Sequence, residues 1–335
     1  MPRKFFLFVL AVGLAGGSFW FFQNFEVHGL EKVYVVRRGA AHEAIAEAPS
    51  DAPHTEAPPP ASAGGTIRIA SFNIQVFGES KLAKPAAMRV LAEVIRRFDV
   101  VAIQEVRAST QDVLPRFLQM INAEGASYDF VLGPRLGRTS SKEQYAFIYN
   151  RASIELVPGS VYTVDDPDDR LHREPLVAGF TVRGPPPAQA YTFTLIDIHT
   201  DPDEVAKEMN ALDDVYRAVR DDGRHEDDVI LLGDLNTDDA HLHEMGQVPY
   251  VMAAISKTPS NTRGTKLYDN ILFDRRATTE FTGRSGVLNL IREYQLSMQD
   301  ALEVSDHFPV WAEFSIYEGG QRGSVASAPG DERTR

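Results

Sequence analysis

Several apolar runs of this chain end in, or emerge from, residues that a hydrophobic core would not select. Asn73 follows "IRIASF", Glu105 follows "DVVAIQ" and His199 follows "TLIDI". Asp234 and Asn236 come after "DVILLG", Asp269 stands before "NILF", and Asp306 and His307 precede "FPVW". Singly, each reads as a turn or cap residue, because Asn and Asp hydrogen-bond their own backbone in turns. As a set they have a chemical shape: two histidines, several carboxylates, two asparagines and no thiol. Oxygen ligands of this kind suit a hard divalent cation such as Mg²⁺, Mn²⁺ or Ca²⁺ rather than structural zinc. Histidines with carboxylates available to set their tautomers suit acid–base chemistry. Asparagine beside a phosphate donates a hydrogen bond without adding the repulsion of another carboxylate.

These residues act together only if the chain gathers them. Short β-branched runs predict strands at 66–74, 99–106, 128–132, 144–149, 153–157, 176–183, 190–198, 228–235, 267–273 and 310–316. Helical periodicity predicts helices over 85–98, 110–123 and 203–221. The 99–106 and 228–235 runs are nearly all apolar, which fits strands buried on both faces. Strands outnumber helices and hairpins mix with crossovers. The expected class is therefore α/β (α+β), two packed sheets with helices outside, rather than a purely parallel doubly wound sheet. Ligands at the ends of several strands then meet at one rim of the sheets, where active sites of layered folds form.

The rest of the chain sets bounds. Its 335 residues, 43% hydrophobic, suffice for one large α/β domain with a sizeable core or for two small ones. A net charge of −13 argues against a passively basic nucleic-acid surface. It leaves room for a nuclease, whose cation supplies positive charge locally. The absence of cysteine excludes disulfides, thiolate metal sites and a cysteine nucleophile. Arg3 and Lys4, a cytoplasmic n-region at 1–4, precede an uncharged apolar run at 5–22. That run reads as a signal anchor, with a cleaved signal peptide or a buried helix as the alternatives. The basic flank implies that the remainder of the chain is exported: anchored to the membrane and facing periplasm or outside, or secreted after cleavage. Residues 23–65 read as a juxtamembrane segment and Ala/Pro-rich linker, 66–317 as the catalytic domain and 318–335 as a disordered tail.

The motifs "IRIASFNIQVFGESK", "FDVVAIQEVR", "LGRTSSKEQY", "HREP", "VILLGDLNTD", "LYDNILF" and "SDHFPV" occur in one order over 66–316. In these the chain resembles the endonuclease/exonuclease/phosphatase superfamily, and within it the deoxyribonuclease I branch. The resemblance implies a four-layer, two-sheet β-sandwich flanked by helices and a metal-dependent phosphodiesterase acting on DNA. Carried across by position, Glu105 is the principal Mg²⁺ ligand, supported by Asn73, with Asp234 and Asp306 as further metal-site carboxylates; Mn²⁺ is the substitute. His199 and His307 are the acid–base pair, oriented by Glu143 and Asp269. Asn236 and Arg173 hold phosphate oxygens, and Arg107 reaches the minor groove. Cleavage to 5′-phosphate and 3′-hydroxyl ends is implied by the same resemblance.

Two positions depart from that branch. Ser141 stands where a groove-packing tyrosine is expected, and Gln75 where a phosphate-contacting arginine is expected. Both losses fall on substrate grip, which bears on preference for duplex over single strands. Asp165, Asp166, Asp168 and Asp169 read either as a structural Ca²⁺ site or as an acidic solvated turn. The competing enzyme reading is a lipid-headgroup or inositol-phosphate phosphodiesterase of the same superfamily. The competing non-enzyme reading is a binding module that has lost turnover. Expected partners are DNA as substrate and a membrane through the N-terminal helix, with the protein a monomer.

Overall fold

The computed structural model describes residues 65–138 and 142–320, together with short strands at Phe25–His28, Tyr34–Arg37 and Ala46–Glu47. The apolar run at 5–22, most of the 23–65 segment, Ser141 and the tail beyond 320 lie outside the described residues. Phe25–His28 and Tyr34–Arg37 pair antiparallel with each other. Among the described residues, no helix is long and apolar enough to cross a membrane.

In chain order the strands of the main unit are β1 (Thr66–Phe77), β2 (Val100–Val106), β3 (Tyr128–Leu132), β4 (Gln144–Asn150) and β5 (Ile154–Leu156). Then come β6 (Tyr162–Thr163), β7 (Leu176–Val182), β8 (Thr192–His199) and β9 (Val229–Asp234). The series ends with β10 (Val251–Ala253), β11 (Asp269–Asp274), β12 (Phe281–Val287) and β13 (Val310–Ser315). The longer helices are α1 (Pro85–Ile95), α2 (Val113–Asn122), α3 (Val205–Arg220) and α4 (Met298–Val304). One sheet runs β12-β13-β1-β2-β4-β3, with Ala46–Glu47 added on its β3 edge; the other runs β10-β11-β9-β8-β7-β5, with β6 beside β7.

Each sheet is fully antiparallel except for one central parallel pair, β1 with β2 and β8 with β9. Those four strands therefore end at the same rim. Their antiparallel neighbours β4, β7, β11 and β13 begin there. This topology explains why the chemically suggestive residues fall after some strands and before others.

The helices cover the outer faces. Helix α1 starts at Pro85, where a missing N–H is harmless. It buries Met88, Leu91, Val94 and Ile95 against one sheet, beside Phe117 and Ile121 of α2. Helix α3 buries Met209, Leu212, Tyr216 and Val219 against the other, and carries Arg217 and Arg220 in its last turn, where the helix dipole favours cations. Between the sheets, Phe147 meets Phe180 at 5.7 Å, Tyr191 meets Phe193 at 5.0 Å, and Phe273 meets Phe314 at 5.7 Å. Truncating any of these rings to alanine costs about 3–5 kcal/mol.

The expected strands and helices are present, with ends shifted by a few residues. Several short or polar elements carried no clear sequence signal. Strand β12, "FTGRSGV", is an edge strand without apolar alternation, and its register slips between Phe281 and Ser285. Strand β10 is three residues long and α4 is seven. Pairing also continues past 317, where the Glu318 amide donates to Gln189 O at 2.9 Å. In the acidic turn, Asp169 pairs with Arg138 at 3.0 Å and Asp166 accepts the Leu171 amide at 2.7 Å.

Candidate active site

The site is built where the parallel pairs end. His199 and Asp234 are the last residues of β8 and β9 and face each other in register. Asp234 is also opposite Asp269, the first residue of β11. Gly233 permits this arrangement. Its φ of 153° and a Cβ position only 1.8 Å from Ile198 O exclude any side chain.

In the other sheet the backbone leaves its ladder to present Asn73 and Glu105. Asn73 is opposite Gln104, and pairing is irregular between Asn73 and Phe77. Gln75, Val76 and Glu105 take φ of 39°, 50° and 63°, conformations that non-glycine residues adopt at an energetic penalty. The bend lets the Val76 amide donate to Glu105 Oε2 at 2.8 Å, and the Gln75 amide to Asn73 Oδ1 at 2.9 Å. Asn73 Nδ2 then donates across to Asp234 Oδ2 at 3.0 Å and to Glu105 Oε1 at 3.3 Å.

Each histidine is held from behind by a buried carboxylate. His199 Nδ1 lies 2.8 Å from Glu143 Oε1, and His307 Nδ1 lies 2.8 Å from Asp269 Oδ2. Both Nε2 atoms point to one oxygen, Asp234 Oδ2, at 3.6 Å from His199 and 3.5 Å from His307. Glu143 is further held by Arg173 Nε at 2.8 Å and Arg107 Nη2 at 3.5 Å. Arg173 also donates to His199 O at 3.1 Å, so much of its guanidinium is committed to positioning this histidine. Arg107 Nε sits 3.1 Å from Glu105 Oε2. Asn236, in the left-handed region at φ 50°, donates through Nδ2 to Thr200 O at 2.9 Å.

The electrostatics reflect burial and partners. Burial alone raises the Glu143 pKa, but the His199 hydrogen bond with the His199, Arg173 and Arg107 charges outweighs it and holds the carboxylate below its ordinary value. For His199 burial disfavours the charged ring, yet Glu143 and Asp234 raise its pKa overall. For His307 burial is likewise overcome, by Asp269, Asp234 and Asp306, and the pKa rises well above the ordinary imidazole value.

A cavity of 330 Å³ opens over these groups, lined among others by Glu105, Arg107, Arg173, Asn236 and both histidines. Asp306 stands at its edge with a side chain 45% exposed and Oδ1 4.0 Å from His307 Nε2. The described sequence-derived site residues are thus together at one rim. Gln75 is there too, half-buried on the bend between Asn73 and Glu105.

Several supporting residues escaped the sequence reading. Ser260 Oγ donates to Asp269 Oδ2 at 2.6 Å. Ser305 Oγ donates to Asn73 O at 2.7 Å and accepts the His307 amide at 3.1 Å, which joins β1 to the loop carrying Asp306. Lys81 is buried, and its Nζ donates to Ile74 O and Val304 O, each at 2.7 Å. A lysine two turns from a ligand and a serine before "DH" carry no signal by themselves; only the fold shows what they tie together.

The sequence profile of the Endonuclease/Exonuclease/phosphatase family matches residues 70–307. Deoxyribonuclease-1-like 1 of Cricetulus griseus is 33% identical over 76% of this chain and 86% of its own length. Deoxyribonuclease gamma of Rattus norvegicus is 29% identical over 73% of this chain and 83% of its own. Among solved structures, humanized TDP2 of D. rerio superposes with a TM-score of 0.53 at 18% identity, covering 75% of this chain and 99% of that one. This last likeness is one of fold.

Proposed function

Since the chain belongs to the Endonuclease/Exonuclease/phosphatase family, we infer that it is a hydrolase of phosphodiester bonds, a metal-dependent endonuclease cleaving DNA to 5′-phosphate and 3′-hydroxyl ends. The observation that carries this reading is the convergence of both histidine Nε2 atoms on Asp234 Oδ2, with each Nδ1 tied to a buried carboxylate. The names of the curated relatives support DNA as the substrate class.

The donor set fits a hard cation. Glu105, Asn73, Asp234 and Asp306 offer only oxygen, and Glu105 Oε1 is engaged by a single 3.3 Å bond from Asn73. These residues would hold Mg²⁺, with Mn²⁺ as substitute. A cation held there would supply Lewis-acid polarisation of a phosphoryl oxygen and a lowered pKa for bound water.

The chain's own groups do the rest. One histidine takes the proton of the attacking water through Nε2, and the other gives a proton to the O3′ leaving group. Glu143 and Asp269 keep a proton on each Nδ1, which leaves each Nε2 free for this exchange. Asn236 and Arg173 line the cavity where charge builds on the phosphoryl oxygens. Arg107, 30% exposed at the mouth, is placed to meet a backbone phosphate or groove edge.

We assign the protein to the exported side of a membrane, tethered through residues 5–22 or released by cleavage there, and acting as a monomer. The test is to give the purified full chain duplex DNA, single-stranded DNA and sphingomyelin in parallel, with Mg²⁺ or with EDTA. Metal-dependent DNA products that a ligase can rejoin and a polymerase can extend support the reading. Hydrolysis of sphingomyelin alone would overturn it.

A further inference from the structure

At the rim opposite the active site, where β9 begins, Asp228, Glu280 and Glu318 bring carboxylate oxygens within 4.8 Å of one another. Glu226 and Asp227 form a second such group with Asp228. Asp228 and Glu280 are almost completely buried, at 1% and 2% exposure, yet Asp228 Oδ1 and Glu280 Oε2 have no hydrogen-bond partner. The fully buried Tyr191 hydroxyl also lacks a partner, and the Thr278 hydroxyl lies beside Asp228 as its one polar neighbour that favours the ionised form. The negative charges that bear most on Tyr191 are those of Asp228, Glu280, Glu226 and Glu318, which puts its phenol beside the cluster.

Unpaired buried carboxylates are costly, and several together are more so. Here the backbone holds them in place rather than neutralising them. The Gly319 amide donates to Glu280 Oε1, the Thr192 amide to Glu318 Oε2 at 3.2 Å, and the Asp228 amide to Glu226 Oε1 at 2.9 Å. In Glu280 the second oxygen is thereby left facing the cluster. Among the strongest charge influences on Asp228, all are acidic.

We propose that Asp228, Glu280 and Glu318, with Glu226 beside them, form a second divalent-cation site of the Ca²⁺ type, distinct from the catalytic rim. Asp228 precedes the first residue of β9 and Asp234 is its last, so the two sites lie about 20 Å apart by strand rise. Ca²⁺ suits the place better than Mg²⁺. It accepts several carboxylates in irregular geometry, whereas Mg²⁺ demands near-ideal octahedral geometry and is usually held by only one or two carboxylates. Glu318, exposed at the surface, closes the open side of the cluster. The ion joins the sheets, because Glu280 and Glu318 flank β12 and β13 of one sheet while Asp228 precedes β9 of the other. The sheets already touch there through the Ala190–Tyr317 bridge.

The test uses Tb³⁺, a Ca²⁺ surrogate whose emission is excited through a neighbouring phenol, on the full chain with Mg²⁺ saturating the catalytic rim. The wild type gives sensitised emission that Ca²⁺ displaces, and Tyr191→Phe loses most of it. Glu280→Gln and Asp228→Asn weaken Tb³⁺ binding by about tenfold or more. Ca²⁺ raises the melting temperature of the wild type and not of the double variant. Glu280→Gln removes charge that has no cationic partner, and Asp228→Asn replaces a carboxyl that is protonated in the cation-free fold by a neutral group of the same shape. The cation-free variants therefore melt at or above the wild type, which separates loss of a ligand from loss of fold. Emission unchanged by Glu280→Gln, a wild-type melting temperature indifferent to Ca²⁺, or cation-free variants that melt lower would each overturn the proposal. The cluster would then be a set of carboxyls sharing protons.

Discussion

Asp269→Asn isolates how a histidine is prepared for catalysis. Asp269 is fully buried and does not line the cavity, so it acts on substrate only through His307. Its Oδ2 accepts from His307 Nδ1 at 2.8 Å and from Ser260 Oγ at 2.6 Å, while Oδ1 has no partner. An asparagine has two ways to fit. With its carbonyl on Oδ2 it keeps both bonds but leaves an NH₂ group buried without an acceptor. With its NH₂ there, it donates to Nδ1 and forces the proton onto Nε2, the wrong tautomer for a base and, in a neutral ring, a poor acid. Losing a charge-assisted bond costs about 1.5–3 kcal/mol, partly offset by removing a buried charge. A net loss of about 1–2 kcal/mol lowers the melting temperature of a domain this size by roughly 2–8 °C. The turnover number falls further, by about 10²–10⁴, the usual worth of a positioned acid or base, while KM changes little. Steady-state cleavage of a duplex oligonucleotide with a parallel thermal melt measures both. A folded Asp269→Asn chain with unchanged kcat would refute the idea that Asp269 sets the state of His307.

Other outcomes rest on the same geometry. Lys81→Met strands Ile74 O and Val304 O, each now accepting at 2.7 Å, and should cost about 1–3 kcal/mol in denaturant unfolding while weakening activation by Mg²⁺. Gly233→Ala places a Cβ 1.8 Å from Ile198 O and should give little soluble, folded protein on expression. Burial, with Glu280 next, pushes Asp228 up to about 9, so without divalent cation the folded state holds a proton that the unfolded chain releases near pH 4. That contribution to stability is complete below about pH 4 and is lost as pH rises toward 9. The difference in melting temperature between wild type and Asp228→Asn, tracked across this range, should therefore shift steadily in favour of the variant. Ser260→Ala should produce a weaker form of the Asp269→Asn effect in the same kinetic assay.

Much of the fold was legible because the buried strands are strongly patterned. "DVVAIQ" and "DVILLG" are apolar on both faces because each lies inside a sheet covered by helices on one side and a second sheet on the other. The candidate site residues stood out because polar residues interrupt those runs at a rim. What stayed hidden is what short or polar segments do through tertiary contact. The edge strand β12 forms by pairing with β13, although its own sequence has no strand pattern. Ser260, Ser305 and Lys81 owe their roles to partners far away in sequence, the last reaching Val304 across 223 positions. The double commitment of Arg173, to Glu143 and to His199 O, could not be seen from "HREP" alone. The carboxylates of the far rim carry no signal in the sequence, and the burial of Asp228 and Glu280 is what sets them apart.

The central claim is that two histidines and a cation cut a phosphodiester backbone. Its most direct test is the nicking of supercoiled plasmid by the full chain with Mg²⁺, with and without EDTA, beside a His307→Ala control. The expected result is open-circular product that requires both the cation and His307, with the variant slower by about 10²–10⁴. Nicking at an undiminished rate by a folded His307→Ala chain, or in EDTA, would contradict it.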